Sequence, residues 1–293
     1  MRVFLTGATG FIGTAIIREL IDAGYQVLGL ARSDAGAKAL VAAGAQVHRG
    51  DLEDLESLRI GAAMSDGVIH CAFNHDFSKY AANCEADRHA IEALGSALVG
   101  SDRPLIITSG TGVVFAPGRL ATEEDPAAPS SAMPRSVSEE ATASMVSRGV
   151  RASVVRLPQV HDRIKQGLVS YLINLAGEKG ISAFVGDGLN RWPAAHVLDT
   201  ARLYRLALEK GTAGARFHAV AEQGVPLREI ADAIGRRLNI RVVSKAAEEA
   251  ADHFGWLGFF AGMDVPASSA QTQERLGWRP TQTGLISDLE RLA

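Results

Sequence analysis

Three glycines at a three-residue spacing, Gly7, Gly10 and Gly13, stand between an apolar run, Val3-Phe4-Leu5-Thr6, and a segment with apolar residues at Ile12, Ala15, Ile16, Ile17, Leu20 and Ile21. That is a strand, a tight turn and a helix, and the chemistry of such a turn is anion binding. Gly7 lets the chain bend at the strand tip. Gly10 leaves room for a pyrophosphate to approach the backbone, and Gly13 lets the helix lie close on the sheet. The amides of the helix N-terminus, from Thr9 through Phe11 and Ile12, then face the phosphates with a partial positive charge. A dinucleotide is the ligand this pattern predicts.

The second strand, Tyr25-Gln26-Val27-Leu28-Gly29-Leu30, ends in Ala31-Arg32-Ser33. A site for NAD carries an Asp or Glu at that tip to accept from the ribose hydroxyls. Here the acid is missing, and Arg32 with Ser33 stands beside its place. A guanidinium pairs with a 2′-phosphate in a fork geometry, so NADP(H) is expected over NAD(H). The alternative leaves Arg32 as a solvated loop residue, and Asp34 is close enough in sequence to compete for the ribose.

Proton transfer at neutral pH suits histidine, which titrates at about 6.5. His75 follows the fourth strand in Phe73-Asn74-His75-Asp76, beside a carboxylate. His161 and His196 are the other two at useful places. They are scattered and no carboxylate cluster accompanies them, so no metal site is expected. Trp192, near Asn190, either walls a substrate pocket or anchors a lobe. The apolar cluster Phe254-Gly255-Trp256-Leu257-Gly258-Phe259-Phe260 either roofs that pocket or packs the lobe. A roof would make the substrate at least partly hydrophobic.

Strands alternating with helices must position these residues. Strands are expected at Ala45–His48, Gly67–Ala72, Leu105–Thr108 and Ala152–Arg156. Helices are expected after Ser33, from Asp51 through Leu58, over about 77–99 and over 136–148, with Ser136-x-x-Glu139 as a capping box. Repeated βαβ units give an α/β fold, a Rossmann-type doubly wound parallel sheet with its ligand along the strand C-termini. Beyond Leu157 the alternation loosens. The expected division is a dinucleotide-binding domain over 1–157, with returns near 196–220, and a smaller interleaved C-terminal substrate lobe over 158–195 and 221–293.

Composition bounds the rest. The chain has 293 residues, 47% hydrophobic and 22% charged, with a formal net charge of -3. No basic field suggests nucleic acid or an anionic membrane. Cys71 and Cys84 make no disulfide framework. The first strand begins at residue 2 or 3, and no apolar run reaches the roughly 20 residues of a membrane span. A cytoplasmic protein acting on a small molecule is expected.

The form Thr6-Gly7-Ala8-Thr9-Gly10-Phe11-Ile12-Gly13 resembles the extended and atypical branches of the short-chain dehydrogenase/reductase superfamily, the NAD(P)-dependent epimerase/dehydratase group. The resemblance implies that Asp51 and Leu52 hold the adenine, and that Ala72 and Phe73 lie along the cofactor. It implies that Pro158 and Val160 line the nicotinamide. The fifth strand ends in Thr108-Ser109-Gly110-Thr111, where relatives place a hydroxyl on the substrate oxygen; Ser109 and Thr111 both fit, and Thr108 falls beside the cofactor. His161 stands where many relatives carry tyrosine, and His196 opens a segment like the family's His-Val-x-Asp motif.

Ordinary members use Tyr-x-x-x-Lys. Four residues after Tyr25, Tyr80, Tyr171 and Tyr204 stand Gly29, Cys84, Leu175 and Leu208, so the motif is absent. The best superposition puts Arg135 in the tyrosine's place and Glu139 in the lysine's, which resembles the atypical branch. Arg135 then either orients an anionic substrate, steadies an oxyanion or sits in solvent. Three activities stay open: an oxidoreductase acting on a carbonyl-like carbon, an epimerase or dehydratase with transient oxidation, and a cofactor-binding sensor without turnover. Relatives often dimerise through the helices after the fourth and fifth strands, and Ala81, Ala86, Ala90, Ala93, Ala97 and Ala141 allow close helix approach there.

Overall fold

The computed structural model describes residues 1–291. The larger sheet is built from β1 (Arg2–Thr6), β2 (Gln26–Ala31), β3 (Gln46–Arg49), β4 (Gly67–His70), β5 (Pro104–Gly110) and β6 (Arg151–Leu157), with a late strand, Arg216–His218. The helices between them are α1 (Phe11–Asp22), α2 (Asp34–Ala42), α3 (Leu55–Ala63), α4 (Tyr80–Ser96) and α5 (Val137–Ser147). The strand order is 3-2-1-4-5-6, extended beyond β6 by the late strand, and every pairing is parallel.

Period-two alternation divides the core between the two faces of this sheet. Val3 and Leu5 pack with Ile16, Ile17 and Leu20 of α1 on one face. Phe4 packs with Leu58, Ile91, Leu94 and Met145 on the other. The smaller part of the chain contributes β7 (Gln159–His161), α6 (Val169–Lys179), β8 (Ile181–Val185), β9 (Arg191–His196) and α7 (Val197–Lys210), then β10, the late strand. It continues with β11 (Glu222–Pro226), α8 (Leu227–Leu238), β12 (Arg241–Lys245), α9 (Ala250–Phe254), α10 (Gly258–Ala261), α11 (Ala270–Leu276) and α12 (Leu285–Glu290). β7, β9 and β11 form a second sheet, and β8 pairs with β12. Val169, Leu172, Phe184, Trp192, Leu227, Ile234 and Leu257 make its core.

Several expectations need correction. Asp51 does not open a helix: its carboxylate accepts from the amides of Glu53 and Asp54 in a turn, and Asp54 caps α3. The short strands β7, β9 and β11 were not expected, since each is brief and alternates only weakly. The helix expected from Phe77 begins at Tyr80, after a 3₁₀ turn. Ser136 and Glu139 form no capping box, because Ser136 itself has helical backbone and Glu139 is engaged with Arg156. Leu276 and Trp278 pack into the core of the large sheet rather than into the lobe to which they were assigned. Ala90, Ala93 and Ala141 are buried against the chain's own sheet. Among the described residues, no helix is long and apolar enough to cross a membrane.

Candidate active site

The C-terminal tips of the parallel strands carry the candidate site. At the turn after β1, Gly7 has φ +68°, and a Cβ there would lie 2.7 Å from the Ala72 amide nitrogen. A Cβ at Gly13 would lie 2.8 Å from the carbonyl carbon of Gly7. The close approach of backbones therefore excludes any side chain at either position. Gly10 begins α1 with no side-chain cap, and the first turn holds no acidic residue. The first-turn amides thus keep their hydrogen-bonding capacity for an anion. The cradle fits a dinucleotide pyrophosphate. Thr9 and Gly10 are exposed on it, Phe11 and Ile12 half-buried. Lys165, on the loop after β7, reaches over the same turn with Nζ 5.8 Å from the centre of the Phe11 ring.

At the tip of β2, Ser33 accepts from the Gly36 amide and caps α2. Arg32 is exposed, and among the described residues it has no carboxylate partner. Asp34, the competitor for the ribose, is engaged instead by Arg49 of β3. Asp51 is exposed and keeps one carboxylate oxygen out of its turn bonds, whereas Leu52 packs with the α3 face of the core.

A buried polar network fills the middle of the sheet. The Ala72 amide donates to Thr6 Oγ1 at 3.3 Å, and Thr6 Oγ1 lies 2.8 Å from His70 Nδ1. His70 Nε2 lies 2.9 Å from Asp87 Oδ1, and Ser138 donates to Asp87 Oδ2 at 2.6 Å. Arg135 Nη1 donates to Asp87 Oδ2 at 2.5 Å and to Ser138 Oγ, and its Nη2 donates to the Thr108 carbonyl at 2.8 Å. Burial pushes the Asp87 carboxyl up, but Arg135 and the bond from His70 outweigh it and hold the group well below the usual carboxylate range. Burial works against the charge on Arg135, and Asp87 more than restores it. The guanidinium also lies 4.3 Å over the Phe73 ring. Three of its five N–H donors are taken, which leaves two for a ligand.

The other expected residues divide sharply. Thr108 is buried, donating to the His70 carbonyl at 2.7 Å and lying 2.6 Å from the Tyr204 hydroxyl, so its side chain serves the sheet rather than the cofactor. Ser109 Oγ is buried without a partner, while Thr111 reaches the Leu157 carbonyl only at 3.4 Å. His75 is exposed; desolvation, then Arg135 and Lys165, lower its pKa. Pro158 is half-buried, and Val160 is buried on β7, paired with Ala195 of β9.

Four other expected residues lie in packing or hydrogen bonds within the protein. Trp192 is a core anchor rather than a pocket wall. Asn190 clasps the carbonyls of Ala261 and Met263. His161 is wholly buried, 2.8 Å from Asp288. His196 caps α7 by accepting from the Leu198 amide. Sequence reading missed His70, Asp87, Tyr204 and Lys165. Their partners are 17 or more residues away, and only the position of His70 at the end of a strand hinted at a site.

The chain matches the NAD dependent epimerase/dehydratase family over residues 3–220. A relative in Dictyostelium discoideum, sterol-4-alpha-carboxylate 3-dehydrogenase (decarboxylating), is 30% identical over 244 residues, 78% of this chain and 74% of its own length. This chain belongs to the NAD dependent epimerase/dehydratase family. It is an NAD(P)-dependent enzyme of the short-chain dehydrogenase/reductase superfamily. The protein C2A9.02 of Schizosaccharomyces pombe is 51% identical over 292 residues, covering 99% of this chain and 98% of its own. In fold the chain resembles dTDP-glucose 4,6-dehydratase DesIV of Streptomyces venezuelae, solved with NAD and TYD bound. That match has a TM-score of 0.78 at 21% identity and covers 99% of this chain and 95% of DesIV.

Proposed function

We propose that this family member is an NADP(H)-preferring oxidoreductase that acts on a carbonyl-like carbon of a small, largely apolar organic substrate. The observation that carries the reading is Arg135: a cation locked by a buried carboxylate, with two N–H donors left over, at the strand tips where relatives place a phenol. A guanidinium stays protonated and cannot exchange a proton at neutral pH. Its use is to stabilise negative charge on an oxygen, in a setting where preorganised donors act strongly. Ser109 or Thr111 would supply a further hydroxyl at the same strand end.

Nicotinamide, when bound, supplies or accepts the hydride. The cofactor would be held by the turn from Gly7 to Gly13, with Lys165 over it and Ala72 and Phe73 alongside. Arg32 would take the 2′-phosphate, and its lack of a carboxylate partner among the described residues supports that preference. Desolvation, then Arg135 and Lys165, lower the pKa of His75. His75 would accept a proton as alcohol is oxidised and return one, directly or through an ordered water, as carbonyl is reduced. The sterol named in the Dictyostelium enzyme supports an apolar substrate.

The test is nicotinamide absorbance across a panel of aldehydes and ketones with wild type, Arg135→Lys and His75→Ala. Turnover that falls in both variants while NADPH affinity holds supports the reading. Tight NADPH binding without turnover on any substrate favours the sensor, and stereochemical inversion without net cofactor change favours the epimerase.

A further inference from the structure

A continuous line of aromatic rings runs from Arg135 to the smaller lobe. The Arg135 guanidinium covers Phe73, whose ring centre is 5.4 Å from His75. His75 lies 6.1 Å from Phe77, and Phe77 lies nearly parallel on Trp256, centres 4.3 Å apart and planes 10° apart. Tyr171 meets Trp256 edge-on at 5.1 Å, and Phe260 meets Phe77 edge-on at 6.1 Å. Phe77 follows β4, Tyr171 is on α6, and Trp256 lies between α9 and α10, so the line joins the large-sheet part of the chain to the smaller lobe.

These rings are not sealed into a core. Trp256 is 45% exposed and Tyr171 41% exposed, whereas Trp192 and Trp278 are buried. Partly exposed aromatic rings that lie together beside a charged group at the strand tips offer a surface for an apolar ligand. Ring faces attract flat ring systems by offset stacking. At the inner end the line stops at one guanidinium with two free donors, which complement a carbonyl or carboxylate oxygen.

From this juxtaposition we infer that the substrate is an aromatic or fused-ring carbonyl compound, and that Phe77 and Trp256 determine its specificity. The ring system lies against Phe77 and Trp256, and its oxygen faces Arg135. The inference deepens the proposed hydride-transfer reading and rests on it for the identity of the cleft. It also predicts that a sugar nucleotide binds more weakly than a fused-ring carbonyl compound, because a sugar gains less from ring faces than a flat aromatic system does.

The experiment is calorimetric titration of the intact protein, first with NADP⁺ and then, in the loaded state, with 2-naphthaldehyde, 2-naphthoate and UDP-glucose. Saturable binding of a naphthyl probe is expected, weakened about tenfold or more by Phe77→Ala and by Trp256→Ala. Trp256→Phe should restore most of it, and thermal unfolding should show all three variants folded. Naphthyl binding that neither alanine variant changes overturns the inference, as does binding of UDP-glucose in place of the naphthyl probes. If NADP⁺ itself gives no binding, the hydride-transfer reading falls and takes this one with it. If NADP⁺ binds and no naphthyl probe does, only the ring inference falls.

Discussion

Arg135 Nη1 lies 2.5 Å from Asp87 Oδ2, and only 1% of the Asp87 side chain meets solvent. The pair joins the 3₁₀ turn before α5 to the middle of α4. Asp87 carries three further consequences at once: it holds the guanidinium still, fixes the orientation of His70, and receives the Ser138 hydroxyl. Removing one partner of a buried pair leaves the other charge uncompensated. Asp87→Asn is therefore expected to destabilise the fold by about 3–5 kcal/mol, measured by denaturant unfolding. Asp87→Asn with Arg135→Met together should cost less than the sum of the two single changes. Strict additivity would show that the two residues do not act as a unit.

Arg32 is expected to select between the coenzymes. Hydrogen bonds to charged groups contribute about 1.5–3 kcal/mol, so Arg32→Ala should weaken NADPH by roughly 10–100-fold and leave NADH nearly unchanged. Paired titrations of both coenzymes on wild type and variant provide the check. An unchanged NADPH-to-NADH ratio would leave Arg32 a solvated loop residue.

Gly13 packs against the carbonyl of Gly7 with no room for a methyl group. Gly13→Ala must push α1 off the turn. A loss of roughly 1–3 kcal/mol is expected for such overpacking, together with most of the coenzyme affinity. Thermal unfolding and a coenzyme titration on the same sample separate these two effects. Wild-type affinity in this variant would mean that phosphates do not dock at the turn.

His218 carries a pH dependence. Its Nδ1 lies 2.7 Å from the Ser268 carbonyl, and its Nε2 is 3.3 Å from Arg156 Nη1. The ring is therefore neutral, with Nδ1–H donating and Nε2 accepting. Burial first, and Arg156 in addition, push its pKa down to about 4 against the pull of Glu123. Between about 6.5 and that value the unfolded chain binds a proton that the folded chain does not. Stability from this group is thus complete above the unfolded pKa and lost as pH falls toward 4. Denaturant midpoints over that range should decline in wild type, and His218→Gln should flatten the decline.

The glycine turn and the doubly wound parallel sheet were legible in sequence because local periodicity and special backbone conformations dictate them. Asp87 and His70 were not, because a partner 17 residues away on another element leaves no local pattern. Trp192 stayed open in sequence for a related reason. An aromatic beside Asn and Arg reads alike whether it walls a pocket or fills a core, and only the packing of α6, α8 and β9 around it decides. Glu139 fitted a capping box in sequence, but Arg156, fully buried on β6, competes for the same carboxylate and prevails through a bidentate ion pair.

The measurement that bears most directly on the account is a calorimetric titration of the intact wild-type protein with NADPH and with NADH. One saturable site is expected, tighter for NADPH by about tenfold or more. Failure of both coenzymes to bind, or a clear preference for NADH, would contradict it.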